Sequence, residues 1–108
     1  MAKKTLCDLA VEGYGEMTKA VVDIGREVLA VGGELHADAE ALLLNDGSKQ
    51  EDLWGINIYP EKNKENHIEY TSFINIRPRD GNRSLEIKDE GLRRKIRSIV
   101  DKRVDWNK

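Results

Sequence analysis

The stretch from Gly32 to Tyr59, GGELHADAEALLLNDGSKQEDLWGINIY, constrains the fold more than any other part of the chain. It holds the clearest two-residue periodicity and the densest run of reactive side chains. As an extended strand it points Leu35, Ala37, Ala39, Ala41 and Leu43 to one face and Glu34, His36, Asp38 and Glu40 to the other. The Asn45-Asp46-Gly47-Ser48 run has turn composition, and Asp52 to Tyr59 reads as a returning strand, so the unit is expected to be a hairpin. A helix competes for the same residues. HADAEALLL has high helix propensity, and a helix would set His36 and Glu40 one turn apart. The strand is preferred, because the flanking Gly32-Gly33 and Asp46-Gly47 leave room for only about three turns, and Leu42 to Leu44 suits a buried strand end.

Elsewhere the pattern alternates between the two periods. Leu6, Leu9, Ala10, Tyr14 and Met17 recur at helical spacing from an N-cap at Thr5. Val21, Val22 and Ile24, then Val28 to Val31, read as two strands around Gly25-Arg26-Glu27; alternatively, the first helix continues through Val22. Trp54, Ile56 and Ile58 mark an internal strand with Trp54 in the core, and Pro60 to Asn66 is a polar loop. His67 to Arg77 alternates again, with Ile68, Tyr70, Ser72, Ile74 and Ile76 on one face, until Pro78 removes an amide donor. A last helix begins at Asp89 with Leu92, Ile96, Ile99 and Val100 on its stripe.

The expected class is α+β: an N-terminal helix, a four- or five-stranded, mainly antiparallel sheet and a C-terminal helix, with the helices over one face. At 108 residues this is expected to be one domain with a single core, residues 1–4 and 105–108 fraying. No stretch reaches the roughly 18 apolar residues that cross a bilayer. The lone Cys7 cannot form an intrachain disulfide, and no leader-like segment opens the chain, so the expected location is cytoplasmic.

The net charge of −2 conceals an asymmetry. Residues 1–52 carry 5 basic and 11 acidic side chains, residues 53–76 carry 2 and 3, and residues 77–108 carry 11 and 6. The segment charges are therefore −6, −1 and +5. Opposed ends can complement each other within a protomer or across the two-fold axis of a homodimer.

The strings GGELHADAEALLLNDGS, QEDLWGINIYP and INIRPRDGNRS, in that order, resemble a small prokaryotic family described as a domain of unknown function. The resemblance covers Lys19 to about Val104. It implies a compact standalone bacterial or archaeal protein and carries no catalytic residues over to this chain.

Two constellations carry possible chemistry. On one strand face, His36, Asp38 and Glu40 would lie about 6 to 7 Å apart in successive pairs, a mixture of imidazole and carboxylate that suits a divalent metal. Asn75, Arg77, Asn82, Arg83 and Ser84 gather amides, guanidinium forks and a hydroxyl around a glycine turn, equipment for an anionic ligand. Against both stands the simpler reading of structural ion pairs. No nucleophile elbow surrounds Ser48, and Cys7 has no basic partner in sequence. The leading expectation is a binding or interaction domain without catalytic activity that needs no cofactor and acts as a homodimer. One alternative is a hydrolase on a phosphoester or nucleic acid, with His36, Asp38, Glu40 and Arg83 as catalytic candidates. Another is a nucleic-acid-binding module that uses the basic C-terminal helix.

Overall fold

The structure, a computed structural model, describes residues 1–108. Four strands, β1 (Thr18–Asp23), β2 (Val28–Val31), β3 (Leu53–Ile58) and β4 (Ile68–Glu69), form one antiparallel sheet in the order β2-β1-β3-β4. With the helices α1 (Lys3–Glu12), α2 (His36–Asn45) and α3 (Glu90–Arg103), this is an α+β architecture. No helix is long and apolar enough to cross a membrane.

Both central strands are buried on both faces, so the sheet needs two covering layers. Along β3 every residue is buried, and along β1 only Lys19 is partly exposed. One face carries Ala20, Val22, Trp54, Ile56 and Ile58 under Leu6 of α1 and Ile96, Ile99 and Val100 of α3. The other carries Val21 and Leu53 under Ala39 and Leu43 of α2, with Ile74 beside them. Helices therefore cover both faces, where layering from sequence placed them over one.

The second layer exists because residues 36–45 are helical, which corrects the preferred strand reading of this stretch and removes the hairpin built on it. The buried residues of α2 are His36, Ala39 and Leu43, at spacings of three and four. Alternation is not what this segment buries. Its turn chemistry favours the helix as well: Gly32 and Gly33 take φ of 96° and 85°, turning the chain out of β2. Two residues on, Leu35 N–H is captured by the Asp38 carboxylate at 3.0 Å.

The predicted strand over His67 to Arg77 shrinks to two residues. Ile68 and Glu69 pair with β3, after which Phe73–Asn75 forms a 3-10 turn and a second such turn covers Pro78–Asp80. Gly55 explains the break. A Cβ there would lie 2.5 Å from the Ser72 Cβ, so the chain presses on the sheet backbone, and only glycine tolerates it. Ile76 is exposed and Asn75 fully buried, the reverse of the alternation expected for a strand, while Phe73, which that alternation put on the same face as Asn75, stays exposed.

The two chain ends lie side by side. Lys3 N–H donates to the Asp105 carbonyl at 3.0 Å, and the Trp106 ring stacks on His67 with centroids 4.6 Å apart.

Trp54 is 5 % exposed, lies on the strand face it shares with Ile56 and Ile58, and has the Arg77 guanidinium 3.9 Å above its ring. Trp54→Ala should cost about 3 to 5 kcal/mol, the usual range for removing a large aromatic from a core. Urea denaturation of the variant checks this, and a loss under about 1 kcal/mol would mean that the ring is not a core element.

Candidate functional site

The amides of Asn75 and Asn82 and the guanidinium of Arg77 turn inward and hold the loop together. The Asn75 side chain accepts from Gly55 N–H at 2.8 Å and donates to the Gly55 carbonyl at 2.9 Å, so it pairs with β3 as a neighbouring strand would. Asn82 donates to the Asn75 and Ser84 carbonyls and accepts from Lys88 N–H. Arg77 donates to the carbonyls of Ile74, Gln50 and Glu51 while stacking on Trp54. Burial, the largest influence on its guanidinium, works against the charge. Ser84 Oγ bonds locally to Glu86. Of this group only Arg83 stands exposed with an uncommitted position on the turn.

The other constellation does not come together either. His36 is buried under α2, where its Nε2 bonds the Ile56 carbonyl at 2.7 Å, so this nitrogen carries the proton. Asp38 is spent on the Leu35 amide, and Glu40 lies on the flank of α2 near Arg77, whose charge it favours. At 100° per residue on a helix, positions 36, 38 and 40 do not share the single face that a strand would have offered. No three His, Cys, Asp or Glu side chains in the structure are grouped to hold a metal ion.

The largest concavity is a groove of about 870 Å³ between α3, the open side of β4 and the loop of residues 60–66. Its α3 wall carries Arg93, Arg94 and Arg97, at positions that helical spacing sets on one flank. Arg93 is held firmly: its Nε donates to the Ile87 carbonyl at 2.6 Å and its guanidinium lies over the Tyr70 ring, 4.8 Å from the centroid. Tyr70 feels burial first, which raises its pKa, and then Arg97 and Arg93, which lower it. None of the three arginines has a carboxylate oxygen within 4.0 Å.

Acidic side chains line the groove too. Two of them are occupied, Glu69 by the Asn57 amide at 2.7 Å and Glu86 by Lys88 at 3.0 Å, leaving Glu65 and Glu90 open. Sequence reasoning counted the positive charge of this region but did not place it. The usable signal was Arg93, Arg94 and Arg97 on the flank beside the helix's apolar stripe.

Among known proteins, a family model described as "Protein of unknown function (DUF5674)" matches residues 1–103. No curated protein and no solved structure matches the chain.

Asn75→Ala should cost about 3 kcal/mol or more, because Gly55 N–H, the Gly55 carbonyl and the Leu85 carbonyl all lose a buried partner. Arg83→Ala should stay within about 0.5 kcal/mol, as surface changes do. Equal losses in denaturant titrations would refute this division between framework and surface.

Burial is the main influence on both His36 and His67, and it pushes each pKa below the usual 6.5. The unfolded chain then binds more protons than the folded one, so the stabilising contribution is present above about pH 6.5 and is lost as pH falls through the folded values. Stability measured in urea should decline between pH 7.5 and 5.5, less steeply in His36→Gln. A flat profile would show that neither ring is held neutral. With its ring buried, His36→Ala should also cost more than the roughly 1 kcal/mol typical of an open face.

Proposed function

Since the chain belongs to the family of proteins of unknown function DUF5674, whose description assigns no activity, we propose from the groove that this protein is a binding domain without chemistry of its own. It holds an anionic ligand beside α3 and acts in the cytoplasm as a homodimer. One observation carries the reading: Arg93, Arg94 and Arg97 converge on a sizeable groove, and none is neutralised by an ion pair. Guanidinium forks recognise phosphate or carboxylate by paired, charge-assisted hydrogen bonds. With Arg93 fixed by Ile87 and Tyr70, less side-chain freedom is lost on binding. Glu65 and Glu90 favour an anion that also carries a hydroxyl or amine donor, because a bare polyanion would meet their repulsion.

The hydrolase reading has little in its favour, since its proposed base is bonded to a backbone carbonyl and, of its proposed anion holders, Asn75, Arg77 and Asn82 are built into the loop. Nucleic acid remains an outcome of the test. NMR titration with inorganic phosphate, and in parallel with a short single-stranded oligonucleotide at two salt concentrations, separates the sources of the phosphate. The expected result is phosphate-induced shifts in residues 59–71 and 90–97, weakened about tenfold in Arg94→Ala and Arg97→Ala, at the level of one charged hydrogen bond. Shifts elsewhere, or none, would overturn the site. Oligonucleotide binding with a steep salt slope that outruns free phosphate would favour the nucleic-acid module.

A further inference from the structure

We propose that the uncovered edge of β2 docks a second copy of this chain, joining two four-stranded sheets across a two-fold axis. This deepens the dimeric part of the reading above and does not depend on the groove.

The backbone supplies the first argument. Gly32 N–H donates to the Lys19 carbonyl at 2.9 Å, and bonded pairs alternate along an antiparallel ladder. Val28 and Ala30 therefore exchange bonds with β1, and Leu29 and Val31 point their N–H and C=O groups away from the sheet. The strand is Val-Leu-Ala-Val, with no proline, charge or bulge of the kind that blunts an edge against pairing. With the two-fold axis at Ala30, Leu29 comes opposite the partner's Val31, and every outward group of both residues finds a bond.

Charge fixes the antiparallel sense. Arg26, Lys102 and Arg103 stand at the start of β2, where Arg103 Nε holds the Glu27 carbonyl at 2.8 Å. Glu12, Glu34 and Asp38 stand at its finish, around Gly32 and Gly33. Each end is partly offset, the first by Glu27 and Asp46, the second by Lys19 over the Tyr14 ring. The same register sets Arg26 opposite the partner's Glu34, so that the basic end of one edge meets the acidic end of the other. A parallel arrangement would put like beside like.

The helix layer supplies the third argument. Helix α2 packs over β1 and reaches both β2 and β3, so across the joined sheet the two copies of α2 would lie on the same face with only β2 of each protomer between them. Glu40 faces the Arg77 side of α2. Helical spacing puts Leu42 on the opposite flank, 61 % exposed, and Leu35, equally exposed, precedes α2 at the end of β2 beside Gly32 and Gly33. Leu42 is the apolar surface that a neighbouring α2 would cover.

Sedimentation equilibrium over a range of concentrations, with the full chain, tests the interface. The parent is expected to dimerise. Leu42→Glu, at an exposed position where the fold has little to lose, should weaken association about tenfold or more, by burying a charge. Val31→Pro, which removes an outward N–H along with a partly buried side chain, should do the same, and Arg94→Ala in the groove should leave association unchanged. Should Val31→Pro fail to fold by circular dichroism, Leu42→Glu decides alone. A dimer as tight in the variants as in the parent overturns this interface and leaves a dimer elsewhere. A parent that stays monomeric at every concentration overturns the interface and the dimeric reading together.

Discussion

The pairing of Asn75 with Gly55 is the contact on which the arrangement of the second half of the chain depends. Four residues of β3, Leu53 to Ile56, lie beyond the ladder with β4, and at Gly55 the outward N–H and C=O would be buried with no strand to receive them. A carboxamide has the same donor and acceptor as a peptide group, and Asn75 supplies both at 2.8 and 2.9 Å. For the amide to reach, the chain must lie directly on the sheet, and Gly55 provides the room. Asn82 then holds the Asn75 carbonyl from the other side, and Arg77 ties the same loop to the start of β3. Leaving such groups unpaired in the interior would cost about 1 to 3 kcal/mol each, which is why this polar cluster sits inside.

That arrangement explains which parts of the fold were legible in the sequence. Strands β1, β2 and β3 and helices α1 and α3 bury long apolar patterns, and their types follow from periodicity. Where glycine faces the neighbouring chain, the pattern loses its meaning: Ser72 and Asn75 go inside because they are small or can replace a strand, and Phe73 stays out in spite of its hydrophobicity. Residues 36–45 failed for another reason. HADAEALLL satisfies both periods, and the deciding facts are three-dimensional: the second face of β1 and β3 needs cover, and His36 reaches a carbonyl of β3 only from a helix.

The polar residues were legible as a group and misleading as a site. Asparagine and arginine near a glycine turn look alike whether they face a ligand or the backbone, because both uses need the same donors. Burial separates them, and burial was the one quantity that the turn composition could not supply. The three arginines of α3 show the converse. They sit in an ordinary charged helix among acidic neighbours, and what distinguishes them is the overhang above the open side of β4, where the short strand and the loop of residues 60–66 leave a groove.

The two edges of the sheet have been treated differently by the same chain. Beside β4 the outer edge is interrupted after two residues, completed by the Asn75 amide and continued by the segment around Ile87, whose N–H donates to the Tyr70 carbonyl at 3.0 Å. Nothing comparable protects β2, although its four residues are apolar and its outward groups are free. An isolated edge of this kind is an aggregation hazard unless something specific occupies it. A self-complementary partner with opposed charges at its two ends resolves that hazard by closure, since two-fold pairing consumes the β2 edge of each copy and leaves no free β2 to propagate. On this argument, one edge is shaped to leave a groove for a ligand and the other is left plain so that it can pair.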